Sequence, residues 1–124
     1  MIDFQNAALA KLRQCDPAHF EAIVAPCMTP NEKIHAAYQG IRDGVVFTNK
    51  RIMVINVQGV TGKKKDVTSL PYSKIQAYSV ETAGTLDLDS ELDLWFSGLG
   101  KVRLEFVAKT NIFKIGQLIS AYVL

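Results

Sequence analysis

The chain has 124 residues, of which 48% are hydrophobic and 21% charged, with a formal net charge of +2. That length suits one domain with a real core, and the composition is that of an ordinary soluble globular protein. So small a charge argues against a dedicated nucleic-acid binder or membrane-surface protein, and any such role would need local clustering of charge.

Two cysteines do not make a disulfide scaffold. The start, MIDFQNAALAK, lacks a basic segment followed by an apolar stretch, so no secretory signal is expected. No run approaches the ~18 apolar residues of a membrane span. The expected location is cytoplasmic.

In chain order, Asp3 is placed to cap a helix through about Gln14, with Phe4, Ala8 and Leu12 stacked on one face. Asp16-Pro17 opens a second helix, which is expected to stop near Ala25 because Pro26 disfavours helical geometry before it. Thr29-Pro30-Asn31 reads as a connector. Residues 1–30 are therefore expected to form a helical extension and residues 31–124 a β-rich domain.

From Glu32 the pattern turns strand-like. Residues 32–41 make one strand and Arg42-Asp43-Gly44 a turn, with glycine available for positive φ. Residues 45–48 and 51–57 flank the hydrophilic tetrad Thr48-Asn49-Lys50-Arg51, which fits a hairpin connection with Asn49 tolerating left-handed geometry. Gly59 and Gly62 mark the next reversal. Strands are expected at 64–70, ended by Pro71, and at 75–83.

The segment 88–96 alternates cleanly. Leu88, Leu92, Leu94 and Phe96 share one face, and Asp87, Asp89, Glu91, Asp93 and Trp95 the other. After Ser97-Gly98-Leu99-Gly100, residues 101–107 point Val102, Leu104 and Phe106 inward. One register allowed by parity sets Asp93 opposite Arg103 and Trp95 opposite Lys101. Thr110 or Asn111 caps a last helix whose apolar stripe is Ile112, Ile115, Leu118, Ile119 and Tyr122. Gly116 within that helix implies close approach to a sheet.

The order of these pieces resembles the bacterial pleckstrin-homology-like domain family. The resemblance is carried by Arg42-Asp43, Phe47-Thr48-Asn49-Lys50-Arg51, Pro71-Tyr72-Ser73-Lys74-Ile75 and the acidic stretch Asp87 to Trp95. It implies a mainly β fold: a seven-stranded, strongly bent barrel capped by the C-terminal helix, with the N-terminal helices outside. It also implies a protein that is not an enzyme and that self-associates. Lipid-binding members of the wider superfamily carry a basic pattern on the first hairpin. Here that turn reads Gly40-Ile41-Arg42-Asp43-Gly44, a departure that speaks against inositide recognition.

The residues suggest few sites. Lys63-Lys64-Lys65 is the one dense basic run; with Arg42 it is the candidate anion-binding group, although a solvated hairpin tip explains it more simply. Asp87, Asp89, Glu91 and Asp93 lie along one strand face rather than converging as calcium ligands do. They read as a polar exterior that also suits a basic patch on another subunit. Cys15, His19, Cys27 and His35 lack zinc spacing, and no catalytic constellation or phosphate loop stands out. No cofactor or metal is expected.

The tetrad reads as a turn. Strands 45–47 and 52–55 are apolar on both faces, so their exterior needs cover from the N-terminal helices, a second copy or another partner. Met53 and Ile55 are accordingly candidate interface residues, together with the acidic stripe. The expected function is a non-enzymatic binding or scaffold module, working as a homo-oligomer, in one arrangement a ring, through protein or ligand binding. The alternative is weak, salt-sensitive binding to an anionic membrane surface or phosphate through the Lys63–Lys65 loop.

Overall fold

The computed structural model describes residues 1–5 and 9–124. Among them eight strands form one bent sheet: β1 (Leu9–Cys15), β2 (Ile34–Gln39), β3 (Asp43–Thr48), β4 (Arg51–Gln58), β5 (Lys64–Pro71), β6 (Ile75–Glu81), β7 (Ser90–Phe96) and β8 (Gly100–Phe106). The helices are α1 (Ala18–Val24), continued by a 3-10 turn at Ala25–Cys27, and α2 (Ile112–Val123). The order across the sheet is β5-β4-β3-β2-β1-β8-β7-β6, so the sheet stays open, with β5 and β6 at its edges. The expected bent architecture and terminal helix are present, with one strand more than the seven expected.

The extra strand is β1, which takes the place of the expected first helix. It pairs antiparallel with β2 through Arg13, Gln14 and Cys15, and parallel with β8 through Leu9 and Leu12. It thereby joins the two halves of the sheet. The register shifts between Leu9 and Leu12, and Lys11 between them has φ of 56°. That bulge turns Leu9 and Leu12 to the same buried side. A three-residue apolar spacing, the usual mark of a helix, here belongs to a bulged strand. Ala8, the middle of the expected stripe, lies outside the described residues.

α1 begins where Asp16-Pro17 placed it, with Asp16 Oδ1 accepting from the Ala18 amide at 2.9 Å. Ala25 keeps helical angles although Pro26 follows, and the chain tightens into the 3-10 turn instead of stopping. Phe20 and Val24 face down onto Ala37, Val46, Met53 and Ile55. On the other side of the same strands Val45, Phe47, Ile52 and Val54 enter the main core. Two fully buried faces account for the missing alternation in β3 and β4.

Gly44 belongs to this packing and not to a turn, which closes earlier, over Gly40–Arg42. A Cβ at Gly44 would fall 2.2 Å from Phe20 Cζ, so the absent side chain is the seat of the ring.

The main core lies between the sheet halves, with Tyr38 set edge-to-face against Phe106 at 5.0 Å and Phe47 at 5.8 Å. α2 covers it with Ile112, Ile115 and Ile119. Asn111 caps the helix by accepting from the Lys114 amide at 3.2 Å. A Cβ on Gly116 would lie 3.0 Å from Val80 Cγ1, which is the close approach its presence implied. The β7–β8 register is among those parity allows, with Asp93 opposite Arg103 and Trp95 opposite Lys101. Leu88 departs from it: β7 starts only at Ser90, and Leu88 is 57% exposed. Local bonds from the Gly84 amide to Asp87 O and from the Asp89 amide to Asp87 Oδ1 hold that stretch as a loop.

Candidate functional site

The tetrad Thr48–Arg51 is a turn, and its side chains make it a clamp. Arg51 donates from Nε and Nη2 to the two carboxylate oxygens of Glu32, at 2.9 and 2.8 Å. It also donates to Ser69 Oγ and to the Cys27 carbonyl. The Glu32 side chain is fully enclosed, and it accepts further from Thr48 Oγ1 at 2.7 Å and the Thr29 amide at 3.0 Å. Hydrogen bonding from Arg51 holds the Glu32 carboxyl down at about 2, against the pull of burial.

Asn49 does not use left-handed geometry; that conformation falls on Asn31, at φ 68°. Asn49 instead bridges strands, accepting from the Lys33 amide and donating to Asn31 O. Lys50 is the exposed member, reaching Thr29 Oγ1 at 2.9 Å. The clamp thus fixes the segment that returns from α1 to β2.

From the same turn a second set of contacts runs to α2. Tyr72 donates to the Thr48 carbonyl at 2.7 Å and stacks on Tyr122, ring centres 5.3 Å apart. Tyr122 Oη meets His35 Nε2 at 2.6 Å. Burial pushes the Tyr72 hydroxyl up, so it stays a neutral donor.

Beyond the His35–Tyr122 bond a cleft of about 720 Å³ opens between β2, the turn after β8 and the first half of α2. Its floor is apolar and aromatic, including Tyr38, Phe47 and Ile115; its rim carries Gln14, His35, Lys109, Asn111, Lys114 and Gln117. The fourteen lining residues include two lysines and no carboxylate. Lys109 holds φ at 74° in the turn that delivers the chain to the Asn111 cap.

The other candidates fall in separate places. Met53 and Ile55 are fully buried beneath α1. The cover that β4 required is supplied by this chain's own helix, and neither residue offers an interface. Lys63, at the end of the β4–β5 connection, and Lys64 and Lys65, the first residues of β5, are exposed. Arg42 is tied to that connection through Nη2 to Gly59 O at 2.5 Å.

Asp89, Glu91 and Asp93 stay on the outer face of β7 and its approach, paired with Lys11 and Arg103, while Asp87 turns back to the Asp89 amide. Glu81, Glu91 and Glu105 stand in line across β6, β7 and β8. Burial, then the hydrogen bond that its protonated form donates to Glu81, raises the Glu91 carboxyl.

Among the described residues no group of three His, Cys, Asp or Glu side chains can hold a metal ion. His19 sits edge-on to Phe20 and His35 is engaged by Tyr122. Burial raises the Cys15 thiol, which keeps it protonated and a poor nucleophile.

Sequence reasoning missed the cleft, because Lys109 and Lys114 flank an ordinary helix start and only the fold brings them to His35. It also missed Glu32 as the carboxylate for Arg51, although an acid two residues before a strand was a visible signal.

The geometry defines a class, a bent β-sheet module whose C-terminal helix seals the core and borders the cleft. The model of the bacterial PH domain family matches residues 3–123, and the chain belongs to that family. It is 38% identical over 120 residues to protein YjqA of Bacillus subtilis, covering 95% of this chain and 96% of that one. It is 28% identical over 111 residues to YozO of the same organism, covering 90% and 92%.

Among solved structures, a pleckstrin-homology-domain protein of Shewanella loihica superposes with a TM-score of 0.80 at 40% identity, over 93% of this chain and 99% of that chain. A pleckstrin-homology domain from Shewanella amazonensis gives 0.67 at 40% identity, over 96% and 93%.

Proposed function

We propose that the chain is a non-enzymatic binding module whose ligand is an anionic small molecule or an extended, carboxylate-bearing segment held in the cleft beside α2. The observation that carries this reading is the lining itself: Lys109, Lys114 and His35 around an aromatic floor, with no acid among them. Such a mixture matches a ligand with an apolar body and a negative end. The N-terminus of α2 borders the same rim through Asn111 and Lys114, and a helix N-terminus adds a favourable field for negative charge.

Both cysteines are free, which suits the reducing interior of a cell. The test is a thermal-shift screen of phosphate- and carboxylate-bearing compounds, with each binder mapped by amide NMR. Binders are expected to perturb His35, Lys109 and Lys114, and to lose at least tenfold in affinity in Lys109→Glu/Lys114→Glu. Binders that map elsewhere, or that ignore the charge reversal, contradict it.

Self-association is part of the same proposal. With Met53 and Ile55 covered, its support moves to the outer face of β6–β8, where Trp95 is 50% exposed beside Lys101 and the acidic row. An aromatic on a rigid face with charges of both signs around it suits a protein contact. Light scattering coupled to size exclusion is expected to report a defined assembly, and a clean monomer at tens of micromolar contradicts it.

A further inference from the structure

The cleft beside α2 has two unlike ends. At one end Tyr38 packs on Phe106 at 5.0 Å, just ahead of the turn that carries Lys109, and Lys114 stands in the first turn of α2. At the other end His35 Nε2 meets Tyr122 Oη at 2.6 Å, and the Tyr122 ring lies stacked on Tyr72. Tyr72 in turn donates to the Thr48 carbonyl at 2.7 Å, so this closed end is anchored on the clamp. Neither Lys109 nor Lys114 joins an ion pair among the described residues. The lysine charge therefore waits at one end only.

Between the ends the cleft is a trough. On α2 it is lined by Asn111, Lys114, Ile115 and Leu118, the i, i+3, i+4, i+7 stripe of one helix face. The facing wall is β2 from Tyr38 back to His35, about 10 Å of strand at ~3.3 Å per residue. Along the helix, Lys114 to Tyr122 spans about 12 Å at ~1.5 Å per residue. The two walls agree on one length.

We infer that the cleft takes a medium-chain alkyl carboxylate, with its anionic end between Lys109 and Lys114 and its tail laid along Ile115 and Leu118 over Phe47, and that the His35–Tyr122 bond stops the tail and sets its length. This rests on the anion-binding reading of the cleft and adds the shape of the ligand. An extended alkyl chain advances roughly 1.25 Å per carbon, from C–C bonds of ~1.5 Å, so the trough fits about eight to ten carbons. A single aromatic ring would leave its far half wet. The lining also has no arginine, and so lacks the forked donors that favour a phosphate.

The test is titration calorimetry of the full chain with saturated carboxylates from hexanoate to tetradecanoate. The wild type is expected to gain about fourfold in affinity per added carbon, with the gain ending near decanoate. Octanol is expected to bind at least about tenfold more weakly than octanoate, because it forfeits the charged end. Lys109→Glu/Lys114→Glu is expected to cost the carboxylates at least as much. His35→Ala opens the closed end, and the ratio of dodecanoate to decanoate affinity is expected to rise about tenfold as two more carbons find cover.

The wild-type series fixes the end point without any variant. An affinity that climbs unbroken past dodecanoate, an alcohol that matches its acid, or an end point that His35→Ala leaves in place overturns the inference. Citrate and pyrophosphate, followed by amide NMR, separate it from the reading beneath it. If they perturb Lys109 and Lys114 while no alkyl carboxylate binds, the anion site stands and this ligand class falls. If no anion of either kind reaches those residues, both fall.

Discussion

At the two ends of the β3–β4 hairpin the expected positions of polar and apolar residues are exchanged. At the turn end two members of a hydrophilic tetrad are drawn inward: Thr48 is fully buried and Arg51 is locked on an enclosed Glu32. At the strand-start end two aliphatic residues, Ile41 and Val60, stand in water. The difference shows that residue type alone does not tell structure from function here. A half-buried guanidinium and an enclosed carboxylate are tolerated because each oxygen of Glu32 has partners, and an enclosed charge without partners would cost several kcal/mol. An exposed aliphatic has no such compensation within the chain.

The contrast breaks if the clamp end tolerates change or the tip end does not. The largest effect is expected from Arg51→Ala, which strands Glu32 in its enclosure and is expected to lose about 3 kcal/mol of unfolding free energy in urea titration. Gly44→Ala sharpens the same account from the side of α1. A methyl there must displace the Phe20 ring, and the overpacking is expected to cost about 2 kcal/mol.

Acid provides a graded version of the first change. The Glu32 carboxyl is held at about 2 in the folded chain, below the ~4.3 of an unfolded glutamate. As pH falls through that window, the unfolded state takes up its proton first, so unfolding is favoured. The Glu32 contribution is expected to be complete above about pH 5 and to fade toward pH 2, with Glu32→Gln flattening that part of the profile. Smallest of all, Ile41→Ser and Val60→Ser are expected to move stability by less than about 0.5 kcal/mol.

How much of this was legible in the sequence depended on the range of the interaction. Alternation narrowed the β7–β8 register, because inward residues must face inward residues, and the Asp93–Arg103 pairing was among those it left. The α2 stripe and the Gly116 contact were equally local signals. The first strand was not legible, since Phe4, Ala8 and Leu12 carry the spacing of a helix and only pairing with β2 and β8, around a bulge at Lys11, makes the segment a strand.

Gly44 looked like turn chemistry because nothing in its neighbourhood announces Phe20, which lies twenty-four residues earlier. The exterior of β4 was correctly read as needing cover, but the strand does not say who supplies it, and the answer was α1. The cleft is still less visible, because Gln14, His35 and Lys114 meet only after β1, β2 and α2 have docked.

The central claim is that the Thr48–Arg51 turn is a structural clamp closed on Glu32. A double-mutant cycle tests it most directly: urea unfolding of the wild type, Glu32→Ala, Arg51→Ala and the double variant. A clamp of this geometry predicts a coupling of about 2 kcal/mol or more, the double variant losing little beyond either single one. Additive losses, with a coupling near zero, would show that Arg51 and Glu32 do not act as a unit and would return the tetrad to the surface as a free basic group.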